Sequence, residues 1–135
     1  VVPARDTPNF IANRIGLFGV MQIFKVWAAP DAEYSIEEID AITGPAIGRP
    51  KSATFRTMDL AGIDVLAHVV RNLAGSLRDD KERDVFVLPV VVEELIKRGW
   101  VGAKSSQGFY KKDPSGEIVT LDTASMTFRA AAPAR

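Results

Sequence analysis

Few side chains in this sequence could do chemistry, and their spacing does not group them. Cysteine is absent, so thiol catalysis and disulfide staples are excluded. His68 is the single histidine, which rules out a multi-histidine metal site, and no metal ligand set is expected. It sits between Ala67 and Val69 in an apolar stretch, where a core or surface histidine is a plainer reading than a general base. No Ser–His–carboxylate grouping can be read from spacing. No G-x-G-x-x-G turn follows a strand, so no dinucleotide cradle is encoded. The loop Gly44-Pro45-Ala46-Ile47-Gly48-Arg49-Pro50-Lys51-Ser52 is a poor phosphate loop. Its glycines are wrongly spaced, Pro50 separates Arg49 from Lys51, and no apolar strand precedes it.

Asn13 remains. With Arg14 it interrupts a run that is otherwise apolar from Phe10 to Trp27. A buried amide left without partners costs about 1–3 kcal/mol, so such a residue must be bonded to something. Two readings stay open on physical grounds. Asn13 ties its helix to a neighbouring loop, or its amide projects into a cleft and holds a polar ligand atom.

The elements that would position these residues are mostly helical. Thr7-Pro8 is a helix start, with a capping hydroxyl and a proline at the first helical position. The run from Phe10 to Trp27 is apolar nearly all round, as in a helix at the centre of a bundle. Arg14, Gln22 and Lys25 fall in one sector of it, a wet edge, and Asn13 lies away from that sector. Gly16 and Gly19 suggest close approach of another backbone. Ser35 and Glu38 form a capping box for a second helix, with Ile36, Ile39 and Ile42 on one face and Gly44-Pro45 as the stop. Thr54 to Ala61 reads as a short helix broken at Gly62, and Asp64 can cap the next, Val65 to Leu73. Leu77 to Asp84 is charged and of mixed sign, a solvated loop or helix end. Pro89 to Arg98 gives another helix, with Val90, Val91, Leu95 and Ile96 toward the core and Gly99 as its stop. Gly108 to Lys111, the turn Asp113-Pro114-Ser115-Gly116, and Ile118 to Leu121 read as a small β-hairpin. Ala130-Ala131-Ala132-Pro133-Ala134 reads as a linker. The expected fold class is all-α, a helical bundle with a minor C-terminal β-hairpin, and strand–helix alternation for a doubly wound sheet is missing.

A chain of 135 residues that is 47% hydrophobic suits one globular domain with a single core. Seventeen basic and seventeen acidic residues cancel, so no long-range field pulls toward nucleic acid or a membrane surface. Charges inside the Phe10–Trp27 run would cost roughly 2.5–3.5 kcal/mol each at a bilayer centre, which argues against a membrane span. The absence of cysteine is compatible with the cytoplasm. The chain begins Val1-Val2-Pro3 without a methionine or a signal-peptide pattern, and is read as a fragment. Residues 1–112 are expected to form the helical domain and 113–135 a hairpin tail and linker.

The segment Asp6-Thr7-Pro8-Asn9-Phe10-Ile11-Ala12-Asn13-Arg14 resembles the signature of 3-hydroxyacyl-CoA dehydrogenases, usually Asp-Thr-Pro-Gly-Phe-Ile-x-Asn-Arg. The resemblance continues at Ile39-Asp40, at Gly48-Arg49-Pro50, at Asp59-Leu60-Ala61-Gly62-Ile63-Asp64, and at Gly102-Ala103-Lys104-Ser105-Ser106-Gln107-Gly108-Phe109-Tyr110. Asn9 departs from the usual Gly. The stretch Ile42 to Phe55 replaces a segment that usually reads Gly-Tyr-Pro-Met-Gly-Pro-Phe and helps to line the acyl site. In this the chain looks like the long bacterial enzyme that fuses the dehydrogenase to an enoyl-CoA hydratase domain.

The resemblance implies the C-terminal dimerisation and substrate domain of an NAD-dependent oxidoreductase of fatty-acid β-oxidation, with the 6-phosphogluconate dehydrogenase C-terminal fold. The family oxidises a 3-hydroxyacyl-CoA to the 3-ketoacyl-CoA. A histidine takes the hydroxyl proton, a glutamate orients it, and hydride passes to NAD; both residues belong to a Rossmann domain, here upstream of Val1. Asn13 matches the asparagine that helps to hold the 3-oxygen. Lys104 matches a lysine that contacts the NAD cofactor. Lys51 could reach a CoA phosphate, although a solvated loop lysine is the plainer reading, and His68 receives no role. The implied partners are the acyl-CoA substrate, the upstream Rossmann domain and a second copy in a homodimer. By itself the chain is expected to be inactive. The alternative is a non-catalytic dimerisation or scaffold domain in which Asn13 is structural.

Overall fold

The computed structural model describes residues 1, 3–6, 10–77, 81 and 83–133, without the side chains of Phe10 and Arg83. The expected helix start at Thr7-Pro8 lies outside the described residues, as do Asn9 and part of the charged run 77–84. Five helices come first: α1 (Phe10–Trp27), α2 (Ile36–Thr43), α3 (Phe55–Ala61), α4 (Ile63–Ser76) and α5 (Val90–Lys97). A small sheet follows: β1 (Tyr110–Lys112), β2 (Ile118–Asp122) and β3 (Thr127–Ala130). Among the described residues, no helix is long and apolar enough to cross a membrane.

Local signals set several boundaries. At the start of α2 the Ser35 hydroxyl accepts from the Glu38 amide at 3.2 Å and the Ser35 amide donates to Glu38 Oε2 at 2.9 Å, the reciprocal capping box expected there. Gly62 breaks α3 from α4 at φ +101°. At the end of α5, Gly99 stands at φ +73°. Its amide donates to the Ile96 carbonyl and the Trp100 amide to the Leu95 carbonyl, which satisfies two carbonyls that the helix leaves open.

The start of α3 is capped from a distance. Thr54 precedes the helix but makes no side-chain cap. Instead Asp40 Oδ1, on α2, accepts from the amides of Thr54 at 3.0 Å and Phe55 at 2.7 Å, and Oδ2 accepts from Arg56 at 3.2 Å. A carboxylate at a helix N-terminus satisfies orphan donors and meets the positive end of the dipole.

The core gathers where α1, α3 and the sheet meet. Phe24 lies 5.6 Å from Phe55 and 5.9 Å from Phe109, ring to ring, and Trp27 lies 4.8 Å from Phe55. Such aromatic contacts contribute about 0.5–1.5 kcal/mol beyond simple burial. Ile63, Leu66, Val70 and Leu73 bring one face of α4 to this cluster, and Val92 and Leu95 bring one face of α5.

Tertiary packing departs from the expected pattern at several points. The helix α1 is central only in its C-terminal half: Val20, Met21, Phe24 and Trp27 are buried, while Ile15 is 66% exposed. Nothing within 4 Å would meet a Cβ at Gly16 or Gly19, so neither glycine serves a close helix crossing here. In α2, Ile36 and Ile39 are buried but Ile42 is exposed, because a spacing of three residues drifts around the helix and carries the third isoleucine off the core face. The core face of α5 runs through Val92 and Leu95, and Val90 is 84% exposed at its first turn. Asp64 is not a cap; α4 begins one residue before it, and the carboxylate sits in the first turn, where the dipole still favours it.

In the C-terminal part the expected hairpin is present as β1–β2, and β3 extends it to a three-stranded antiparallel sheet in the order β1-β2-β3. Tyr110 pairs with Thr120 and Leu121 with Phe128. Leu121 and Thr120 are buried, so the sheet shares the core with the helices. The third strand includes Ala130, read from sequence as linker. It is held by long-range contacts: Arg129 forks onto Glu37 of α2 at 2.7 and 3.0 Å, and the Ala132 amide donates to the same carboxylate at 3.1 Å. Burial would raise Glu37, but the Arg129 guanidinium and nearby amides outweigh it and bring its carboxyl down to about 2.

Candidate functional site

The uncovered half of α1 faces α3 and α4 across an apolar groove of about 330 Å³. Leu17 and Val20 form its α1 wall, and Met58, Ala61, Val65 and Val69 form the wall opposite. Among the described residues, two polar side chains enter the lining: Asn13 from α1 and Arg49 from the loop before α3. Gly16 lies between Asn13 and Val20 on the same wall, and the open space at its Cα position keeps the groove clear.

Asn13 is exposed, so the expectation of a buried amide that must find partners does not hold. Among the described residues, no side-chain hydrogen bond ties it to its own domain. Of the two open readings, the loop tie finds no support here, and the amide stands at the cleft. Arg49 was not singled out from sequence. Its signal was the Gly48-Arg49-Pro50 block: Gly48 takes φ +76° and the Arg49 amide donates to the Gly44 carbonyl at 3.1 Å, which aims the side chain at the groove. Among the described residues, no carboxylate pairs with its guanidinium. Lys51 and His68 are both exposed and neither lines the groove.

Lys104 does not line the groove either, but it stands beside its rim. Its ammonium meets Asp64 Oδ2 at 2.6 Å and would lie 3.6 Å from a Cβ at Gly62, next to Ala61 of the groove wall. The Lys104 ammonium holds the Asp64 carboxyl below its ordinary value. Asn13 thus lines the groove and Lys104 does not, and among the described residues no contact joins them.

Behind the α3–α4 junction lie two carboxylates, Asp59 buried and Asp40 half-buried. Asp59, 3% exposed on α3, accepts from the amides of Phe109 and Tyr110, each at 2.9 Å. The Tyr110 hydroxyl donates to Asp40 Oδ2 at 2.8 Å. Burial pushes the Asp59 carboxyl up to about 6, against the pull of the two amides and of Arg56, and it also raises Asp40 and Tyr110. These two carboxylates bind α2, α3 and β1 into one unit.

Residues 10–112 match the family model described as 3-hydroxyacyl-CoA dehydrogenase, C-terminal domain. The chain belongs to this family. A protein of Bacillus subtilis (strain 168) named "Probable 3-hydroxyacyl-CoA dehydrogenase" is 48% identical over 128 residues, covering 95% of this chain and 16% of the relative. One of the same name from Deinococcus radiodurans is 43% identical over 115 residues, covering 83% of this chain and 31% of the relative. The chain therefore spans less than a third of either curated relative. Among solved structures, the crystal structure of M. tuberculosis FadB2 superposes with a TM-score of 0.68 at 21% identity, over 84% of this chain and 37% of that one. That likeness establishes the helical fold.

Within the family span, the sequence blocks that first suggested the resemblance serve two different purposes. Asp40, Asp59, Gly102 and Gly108 hold the fold together, since the two carboxylates cap and bridge elements and both glycines sit against Asp59. Asn13 and Arg49 are the ones presented to open space.

Proposed function

We propose that this domain forms one wall of the substrate cleft in an NAD-dependent 3-hydroxyacyl-CoA dehydrogenase, a cytoplasmic enzyme of fatty-acid β-oxidation that converts a 3-hydroxyacyl-CoA to the 3-ketoacyl-CoA. One observation carries this reading: an apolar groove whose lining contains one amide, Asn13, and one guanidinium, Arg49. Its volume of about 330 Å³ falls at the lower end of small-molecule sites, about 300–1,000 Å³. An acyl chain gains about 0.8 kcal/mol for each methylene removed from water along such walls. The Asn13 amide offers N–H donors to the substrate's 3-oxygen, where negative charge grows as its proton leaves. Arg49 suits a carbonyl or phosphate oxygen of the CoA arm.

NAD, when bound, supplies the hydride acceptor. This chain holds no glycine-rich cradle for it, but the half-exposed Lys104 ammonium at the groove rim has the donor chemistry for a dinucleotide phosphate or amide oxygen. His68 is exposed on α4 and does not line the groove, so the reading assigns the proton acceptor and its glutamate to an upstream Rossmann domain.

In the full-length protein, Asn13→Ala should lower kcat about 10²–10³-fold, the usual loss for one polarising donor, with the thermal midpoint unchanged. An unchanged kcat would return Asn13 to a structural role. The isolated chain should show no hydroxyacyl-CoA turnover in an NADH absorbance assay, and saturable turnover would sink the reading.

A second reading is favoured by a different observation. Ile11, Ile15 and Val26 are exposed along α1 and Ile42 is exposed on α2, with an apolar groove of about 410 Å³ between the two helices. Such a face suits an interdomain or homodimer contact, and a purely assembling domain would use it while leaving Asn13 idle. The kcat of Asn13→Ala separates the two.

A further inference from the structure

The turn that carries Lys104 is closed at both ends on a single residue. Gly102 and Gly108 flank the short 3-10 turn Ala103–Ser105. A Cβ at Gly102 would stand 2.2 Å from the Asp59 carbonyl oxygen, and one at Gly108 would stand 2.2 Å from Asp59 Oδ1. Both glycines are therefore pressed against Asp59, one on its backbone and one on its carboxylate. Just beyond Gly108, the same carboxylate takes the amides of Phe109 and Tyr110. Inside the turn Ser105 acts as a second latch. Its hydroxyl accepts from the Val101 amide at 2.9 Å and lies 3.1 and 3.0 Å from the Gly102 and Gln107 carbonyls. The Ile63 amide donates to the Val101 carbonyl at 2.9 Å, which fixes the entry of the turn to the start of α4.

We propose that Asp59 is the positioning residue that sets where Lys104 stands at the groove rim, by holding both ends of the turn that presents it. The proposal rests on the reading of Lys104 as a cofactor contact. The chemistry of the site requires a carboxylate. Two successive backbone N–H groups converge on one buried side chain, and only a group with two acceptor oxygens and no donor satisfies both. An asparagine would turn its NH₂ toward one of those amides and push the turn off its seat. Lys104 pairs with Asp64, and among the described residues no bond joins its ammonium to Asp59. Asp59 does not line the groove and acts through the backbone of the turn.

The test is a double-mutant cycle in the full-length protein, read by NADH fluorescence titration so that binding is measured apart from turnover. Lys104→Ala should weaken NADH binding about tenfold, the value of one charge-assisted hydrogen bond. Asp59→Asn should weaken it by a similar factor while Lys104 is present and by nothing further in the Lys104→Ala background. Ser105→Ala, which loosens the same turn more gently, should repeat this pattern at smaller amplitude, and it decides the matter if Asp59→Asn does not fold. Equal weakening in both backgrounds would make Asp59 merely structural and overturn the proposal. So would an unchanged Kd on loosening the turn when Lys104→Ala weakens binding. If Lys104→Ala leaves the Kd unchanged, the cofactor reading of Lys104 fails first and this proposal falls with it.

Discussion

The two halves of α1 have nearly the same composition and opposite fates. From Val20 to Trp27 the helix is locked among Phe55, Phe109 and the apolar face of α4, and its aromatic side chains define the core. From Ile11 to Gly16 it emerges from that core with apolar side chains exposed and with open space where a side chain at Gly16 would stand. The contrast shows how one helix can be anchor and tool at once. The buried half supplies rigidity, which lets the open half present Asn13 at a fixed place on the groove wall.

The largest effect should come from the anchor. Phe24→Ala removes a fully buried ring that contacts three other aromatics, and should cost about 3–5 kcal/mol in urea unfolding. A loss under 1 kcal/mol would mean that the helix is not held in this way. The matching truncation in the open half, Ile15→Ala, should change stability of the isolated chain by less than about 0.5 kcal/mol. A large loss there would show that a partner already covers this half.

A smaller effect sharpens the picture at the other edge of the molecule. Arg129→Ala should cost about 1 kcal/mol at neutral pH, where its paired Glu37 is ionised and the forked contact is whole. Glu37 has a folded value of about 2 against an ordinary 4.5. Its stabilising contribution is therefore complete above the ordinary value and is lost as the pH falls through about 2. The deficit of Arg129→Ala should accordingly shrink as the pH is lowered below about 4.5 toward 2, and unfolding curves at neutral and acid pH would show it. A deficit that does not change with pH would mean that the strand, rather than the ion pair, carries the contact.

Much of the helical frame was legible in short stretches of sequence. The Ser35–Glu38 capping box, the Gly62 break and the Gly99 stop depend on chemistry within a few residues, and all three stand where that chemistry puts them. Asn13 and the Lys104 block could be named from a family resemblance, although spacing alone would not have joined them. What sequence could not show was which apolar residues would be covered. Ile42 and Val90 have the same character as Ile39 and Val92, and only the position of neighbouring elements separates them. The third strand was hidden because Thr127 to Ala130 is short and gains its hold from Glu37 and from the edge of β2. The role of Arg49 was hidden in the same way, since a loop residue becomes a groove residue only when the helices across from it are in place.

By itself, the sequence determined where α2 starts and where α3 and α5 stop, that the core would be apolar, and that no dinucleotide cradle is encoded in the chain. These follow from hydrogen bonds, glycine conformations and side-chain types within one or two turns. Tertiary structure alone decided that α1 is half covered, that Asp40 caps a helix not its own, and that Asp59 seats the turn bearing Lys104. The two aspartate contacts join residues between 14 and 51 positions apart, and the ring contact of Phe24 with Phe109 reaches further still. Burial and hydrogen-bond satisfaction at that range are set by the packing of whole elements, which no local window of sequence contains.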